Sequence, residues 1–285
     1  MPLRATEPLA QGGSQRRPTV VDTLLRLARN GFRRGLQYRG AHMLNNLASA
    51  VFGVVFVAVW RSALSGHTGK AIGATLHLTA TWATHYVAVT QGLLWITVFL
   101  PAGLGIPEAV RTGQVVADLT RPTGFWVLHM AREAGGAAYN LLYRTLPVLA
   151  GLAFLVGVPR PATVGAALVA LTLTGLAVWN ALCLHYLVGI SSFWTTEARA
   201  AHNLLIVLMM SLGCGEVPLR VFPDALRVVL PWLPFSSLLS TPALAWMGSV
   251  TAPGAGAAAA WAVILAAMCG TATNAAQRRL AVQGG

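Results

Sequence analysis

The sequence predicts an all-α integral membrane protein with about six transmembrane helices, and three observations lead to that expectation. Over 285 residues the chain is 55% hydrophobic and only 10% charged, against roughly 25% charged residues in soluble domains. Long runs contain no Asp, Glu, Lys or Arg: Ala71 to Pro107, Pro161 to Thr196 and Val228 to Gln277. Basic charge is gathered at one end, since Arg4, Arg16, Arg17, Arg26, Arg29, Arg33, Arg34 and Arg39 all precede the first apolar run. That is the positive-inside pattern, so the net charge of +12 reads as membrane topology and not as a nucleic-acid partner. A helix needs about 20 apolar residues to cross a hydrocarbon core of about 30 Å. Spans are therefore expected at 42–62, 73–99, 137–158, 163–190, 198–213 and 255–276.

With the N-terminus in the cytoplasm, Arg111, Arg121, Arg132, Arg199, Arg278 and Arg279 also fall inside, with Arg144 at the inner border. Only Arg61, Lys70, Arg160, Arg220 and Arg227 stay outside. Both termini are thus expected in the cytoplasm. No apolar segment follows the first arginines closely enough for a cleaved signal peptide. Cys183, Cys214 and Cys269 lie in or near apolar segments without C-x-x-C spacing, which reads as packing and not as a disulfide or metal framework.

Residues 1–20 are polar and rich in Pro, Gly, Gln and Arg, the composition of a disordered cytoplasmic tail. From 21 to 40 an amphipathic helix is expected, with Leu25, Ala28, Phe32 and Leu36 at helical spacing. It would lie on the membrane surface, Arg26, Arg29, Arg33 and Arg34 reaching lipid headgroups while Phe32 and the leucines dip toward acyl chains. An ordinary positively charged flank of the first span is the alternative reading. The transmembrane unit then occupies 41–277, and 278–285 form a cytoplasmic tail.

Span 1 carries Asn45 and Asn46, which suit hydrogen bonds to neighbouring helices. The outer loop SALSGHTGKAIG has a Gly-Lys pair but lacks the glycine and the Ser or Thr that a phosphate-binding loop requires. Span 2 holds His77, Trp82, His85, Tyr86 and Gln91. An eight-residue step leaves the two histidines about 80° apart around the helix, a poor metal pair. This polar set serves either helix-helix hydrogen bonding and an aromatic belt, or a passage for an amphipathic substrate lined by Trp82, Tyr86 and Gln91.

The inner segment from Pro101 to Gly136 balances Arg111, Arg121 and Arg132 against Glu108, Asp118 and Glu133. Within it IPEAVRTG reads as a short helix: Pro107 suits the first turn, Glu108 and Arg111 match the helix dipole, and Gly113 ends it. QVVADLT follows, and Arg121-Pro122 breaks the run. Span 3 contains Arg144 about 10 Å along its helix. Facing lipid there would cost up to about 3 kcal/mol, so the side chain must snorkel or face protein. Span 4 ends in SSFWTTEAR, whose Phe193, Trp194 and Glu197 suit the inner interface. After the short span 5, Pro218, Pro223, Pro231, Pro234 and Pro242 break a region apolar enough for the membrane. Re-entrant helices are expected there. Span 6 is alanine-rich and ends at Gln277-Arg278-Arg279.

No metalloprotease, nucleophile-elbow or ATP-binding motif occurs, and the spans lack the carboxylates of an ion-driven transporter. An integral-membrane enzyme acting on lipid-linked substrates, or a secondary transporter, are the alternatives thereby disfavoured.

Three stretches together, GQVVADLTRP, SFWTTEA and VPLRVFPDALRVVLPWLPFSSLLSTPALAWMG, with the span pattern, resemble the ABC-2 type permeases, specifically a bacterial subfamily of ABC-2 family transporter permeases. The resemblance implies a cytoplasmic coupling helix between spans 2 and 3 that docks on an ABC ATPase subunit. Carried to this chain, the coupling segment is Glu108, Arg111, Gly113, Asp118, Arg121 and Pro122. Thr120 departs from the apolar residue usual in that family. The prolines Pro218, Pro223, Pro231 and Pro234 would form an outer gate. It further implies a bacterial cytoplasmic membrane protein that pairs with a second ABC-2 permease, a related chain or a copy of itself. Two ATPase copies would bind ATP and Mg, with no cofactor on this chain and no nucleic acid. The expected function is then a permease subunit of an exporter moving an amphipathic, lipid-linked or drug-like substrate, with no enzyme activity of its own.

Overall fold

A computed structural model describes residues 19–37, 39–119, 123–161, 163–195 and 198–283. The chain is 83% helical, with no strand among the described residues. The first helix, α1 (Val20–Leu36), opens with a capping box in which Thr19 and Asp22 satisfy each other's backbone amides. The Thr19 hydroxyl, at 2.7 Å, and the Thr19 amide both donate to the Asp22 carboxyl and hold it below the usual carboxylate range. Next come α2 (Arg39–Ala63), α3 (Gly66–Thr75) and α4 (Ala80–Thr97). Then follow α5 (Ile106–Arg111), α6 (Val115–Leu119), α7 (Phe125–Asn140) and α8 (Leu146–Val156). The rest is α9 (Val164–Ile190), α10 (Arg199–Leu212), α11 (Asp224–Val229), α12 (Ser240–Trp246) and α13 (Ala252–Gln283).

Two span boundaries differ from the sequence expectation. The predicted outer loop after span 1 is the helix α3, and span 2 starts at Ala80, not at 73. His77 takes a left-handed φ of 52° and Thr79 caps the new helix by accepting from the Trp82 amide. Span 3 begins at Phe125, not at 137, and runs to Val156 through a π-turn at Leu141–Thr145. The charges of Arg132 and Glu133 had interrupted the apolar run. Glu133 is nevertheless buried, because Arg34 reaches from α1 to within 2.7 Å of its carboxylate.

That contact belongs to a close docking of α1 on α7. A Cβ at Gly31 would fall 1.9 Å from the Arg132 carbonyl oxygen, and one at Gly135 only 1.8 Å from that of Ala28. Glycine at these places is what lets the backbones meet. Phe32 lies edge-on to Tyr139 and Tyr143, with centroids 5.8 and 6.2 Å away. The expectation that Phe32 dips toward acyl chains is thus corrected: its face of α1 is covered by protein.

Pro147 has no amide to offer the Tyr143 carbonyl one turn back, and its ring crowds it. The helix widens into the π-turn there, and Asn46 of α2 donates to that carbonyl at 2.7 Å. Arg144, buried within the same turn, lays its guanidinium 3.3 Å over the Trp95 ring of α4. It therefore faces protein. Asn140 and Thr145 donate from this span to the Trp95 and Gly92 carbonyls at 2.9 and 2.8 Å.

The helix α4 is central, buried on every face from Tyr86 to Thr97. Its opposite is α2, whose Met43, Leu47, Val51, Phe52, Val55 and Val59 are exposed, as suits a lipid-facing or partner-facing wall. Five segments are long and apolar enough to cross a membrane: Gly40–Ala63, Ala80–Arg111, Phe125–Val156, Val164–Phe193 and Ala252–Arg279. The predicted span 5 is α10, only 14 residues long, or roughly 21 Å at the helical rise. The proline-rich chain that follows is bent by 69° between Asp224–Trp232 and Pro234–Trp246, a broken or re-entrant pair of the kind the prolines predict.

Contacts sort the connections onto two sides. Arg220 donates to the His77 carbonyl, Trp60 to that of Glu216 and Trp246 to that of Pro159. These bonds gather 64–79, 157–161 and 213–251 on one side. On the other, α5 shares a cleft with Ser192–Thr195, Arg199 and Arg279.

Candidate functional site

The second of these sides carries the segment between spans 2 and 3. After α4 the chain turns through left-handed conformations at Gly103, Leu104 and Gly105. The turn fits only because Gly189 of α9 has no side chain, since a Cβ there would lie 2.1 Å from the Gly103 carbonyl oxygen. Pro107 then sits in the first turn of α5, and Arg111 closes onto Glu108 with two 2.8 Å bonds. Both side chains are exposed. Thr112 caps the helix, and Gly113 at φ +75° turns the chain into α6.

The two short helices divide their charges. Glu108, Arg111, Gly113 and Gln114 face outward, whereas Val115 and Asp118 are buried. The Asp118 carboxylate lies 3.9 Å from Nε2 of His129, which is itself buried on α7 against Phe125. One turn further along α7, Glu133 meets Arg34. Asp118, His129, Glu133 and Arg34 thus follow one another from α6 through α7 to α1. Arg121 and Pro122 lie outside the described residues, as does Glu197.

Beside α5 a cleft of about 680 Å3 is lined by Pro107, Glu108, Arg111, Phe193, Trp194 and Arg279, among others. Phe193 meets Phe125 edge-on at 6.1 Å, while Trp194 is exposed. On α1, Arg26, Arg29 and Arg33 are exposed, while the half-buried Phe32 and the partly exposed Arg34 engage α7.

On the opposite side Trp82 stacks on Tyr86 with centroids 5.2 Å apart, and the Tyr86 hydroxyl donates to the Cys214 carbonyl. Both line a cavity of about 310 Å3 together with Arg220 and Pro231. Gln91 is not part of it: it lies in a separate crevice too narrow for a water molecule, against Leu94, Met210 and Glu216. The three residues expected to line one passage are therefore split between two places. Pro218 precedes a single turn at Leu219–Val221, Pro223 caps α11, Pro231 lies in the turn after it, and Pro234 begins the chain beyond the bend.

Sequence reasoning missed Arg220, His129 and the inward direction of Asp118. The first was counted only as an outer charge, and the other two lie in short or charged segments where helical spacing says little. Among the described residues no group of three His, Cys, Asp or Glu side chains is placed to hold a metal ion. A family model described as ABC-2 family transporter protein matches residues 78–284, from the approach to α4 to the end of α13. No curated protein and no solved structure matches the chain.

Proposed function

The chain belongs to the ABC-2 family of transporter proteins and is a multi-pass membrane permease of ABC transporters, and from that premise we propose that it is the membrane subunit of an ATP-driven exporter. Its substrate is an amphipathic or lipid-linked molecule. Two ATPase subunits on the cytoplasmic side bind ATP and Mg, and a second permease, related or identical, completes the pathway. The termini and the 102–119 segment lie in the cytoplasm of a bacterial inner membrane, and the 213–251 segment lies outside.

The observation that carries this reading is the division of charge in α5 and α6. A surface presenting Glu108 and Arg111 to the solvent suits docking of a partner. Asp118 on the same unit points inward to His129, so displacement of α5 and α6 bears on α7. Arg121 and Pro122 belong to this segment by resemblance alone. The outer prolines Pro218, Pro223, Pro231 and Pro234 shape the gate, with Trp82 and Tyr86 on the exit side.

The test is Glu108→Arg combined with Arg111→Glu, which reverses the docking charges while keeping their ion pair. Asp118 is left alone because its burial would mix docking with folding. Co-purification of the ATPase should fall roughly tenfold, as for charges at the rim of an interface, with membrane insertion intact. Undiminished binding and transport would remove the coupling role.

A further inference from the structure

The cavity beside Trp82 has more chemistry than an exit for an apolar molecule requires. One wall is the Trp82–Tyr86 stack. The Arg220 guanidinium lies 4.8 Å over the Trp82 ring and spends one bond on the His77 carbonyl, at 2.7 Å. A guanidinium has five N–H donors, so Arg220 keeps several for a guest. Arg227, also on the lining, is already engaged by Asp224. Ser240, Thr241, Ser249 and Thr251 line the same space. Ser249 donates to the Met247 carbonyl and Thr251 accepts from the Gly254 amide, and each oxygen retains a lone pair for a further donor.

A purely apolar guest would strip water from Arg220 and these hydroxyls without replacing its hydrogen bonds. A cation would be repelled by Arg220. A guanidinium over an aromatic ring in a cavity lined also by several hydroxyl-bearing residues matches an anion that also carries hydroxyl groups. At about 310 Å3 the space holds a head group and leaves an acyl chain outside. We propose that this cavity binds the anionic, hydroxyl-bearing head of an amphiphile, a phosphorylated polyol, with the phosphate on Arg220 and the hydroxyls on the serine and threonine rim. The place of this site in export rests on the reading that this side faces outward; the binding does not.

The full-length chain in nanodiscs, titrated with dihexanoyl phosphatidylinositol, should show a saturable change in tryptophan fluorescence that disappears in Trp82→Phe. Arg220→Gln should weaken binding by about tenfold or more, the loss expected for a charge-assisted phosphate contact. Ser249→Phe, which fills the cavity without touching a charge, should abolish it. Dihexanoyl phosphatidylcholine, with no hydroxyls and a cationic end, should bind at least about tenfold more weakly. Inositol 1-phosphate binding as tightly as the lipid would assign the site to a soluble phosphopolyol, with the same chemistry. Equal affinity for the two lipids, or a fully folded Ser249→Phe protein that binds as wild type, overturns the proposal. Failure of the nanodisc binding test together with labelling of Ser249→Cys by a membrane-impermeant maleimide from outside in cells would refute the head-group site alone. Labelling only from inside would refute the orientation and leave the binding result standing.

Discussion

Arg144 brings a full charge into the bundle, and what faces it is the Trp95 ring at 3.3 Å and, among the described residues, no carboxylate partner. A desolvated cation over an indole is held by about 2 kcal/mol, and the ring also packs in the core beside Phe99, Val148 and Leu152, so Trp95→Leu should lower stability in detergent by more than that amount. Arg144→Met removes the charge together with its need for a partner and should be close to neutral, as with other buried charges replaced by apolar groups. In the Arg144→Met background the cost of Trp95→Leu should then fall by about 2 kcal/mol, leaving the packing loss. Thermal unfolding midpoints of the four proteins give that cycle, and additive effects would exclude the pairing. Arg34 offers a second case. Its Glu133 partner is almost fully enclosed while Arg34 itself is 46% exposed, so solvent screens part of the attraction. Arg34→Ala should cost ~1–2 kcal/mol, and Arg33→Ala, on the exposed face, under ~0.5 kcal/mol, compared in the same melts. The sequence alone required Arg144 either to snorkel or to face protein, because a lipid-facing arginine is too unfavourable, and the structure shows the second. The sequence did not name Trp95 or pair Arg34 with Glu133, since contacts between distant segments leave no trace in local spacing.

For whole elements the same division holds. Counting apolar runs located the spans but misplaced two starts. At span 3 the charges of Arg132 and Glu133 hid a helix that begins at Phe125, since the partner of the buried Glu133 is Arg34 of α1. At span 2 the apolar composition around 73–79 concealed a break that depends on the left-handed His77. The docking of α1 was invisible because Gly31 and Gly135 carry no hydrophobic signal. Gly31→Val and Gly135→Val should each drive α1 off α7. Limited proteolysis would then cut near residues 20–36 in the variants and not in the wild type, with the remaining bundle intact. The Asn46 bond to the Tyr143 carbonyl gives a conditional prediction. Asn46→Leu should destabilise by about 0.6–1.7 kcal/mol, the range for hydrogen bonds between membrane helices. With Pro147→Ala restoring the missing amide, the same change should cost little. Equal losses in both backgrounds would mean that Asn46 does not serve the proline.

At the level of the molecule, the arrangement of connections on two sides sets a labelling experiment. Cys183, Cys214 and Cys269 are all buried, so the folded wild type should stay unlabelled by an impermeant maleimide. His67→Cys should react from outside and Gln114→Cys only after the membrane is opened. Both positions are exposed and avoid the strained backbone of neighbouring Gly66 and Gly113, at φ 70° and 75°. The reverse pattern would invert the bundle and remove the docking surface from the ATPase side. The bonds from Asn140 and Thr145 to the Trp95 and Gly92 carbonyls have a mechanical meaning for the same molecule. Two fastenings at different heights stop spans 2 and 3 from sliding or rolling against each other, so the pair is one stiff strut. Under the proposed coupling, a push on the joining segment would then not be absorbed as slip between them and would reach the far end, where Trp82 stands.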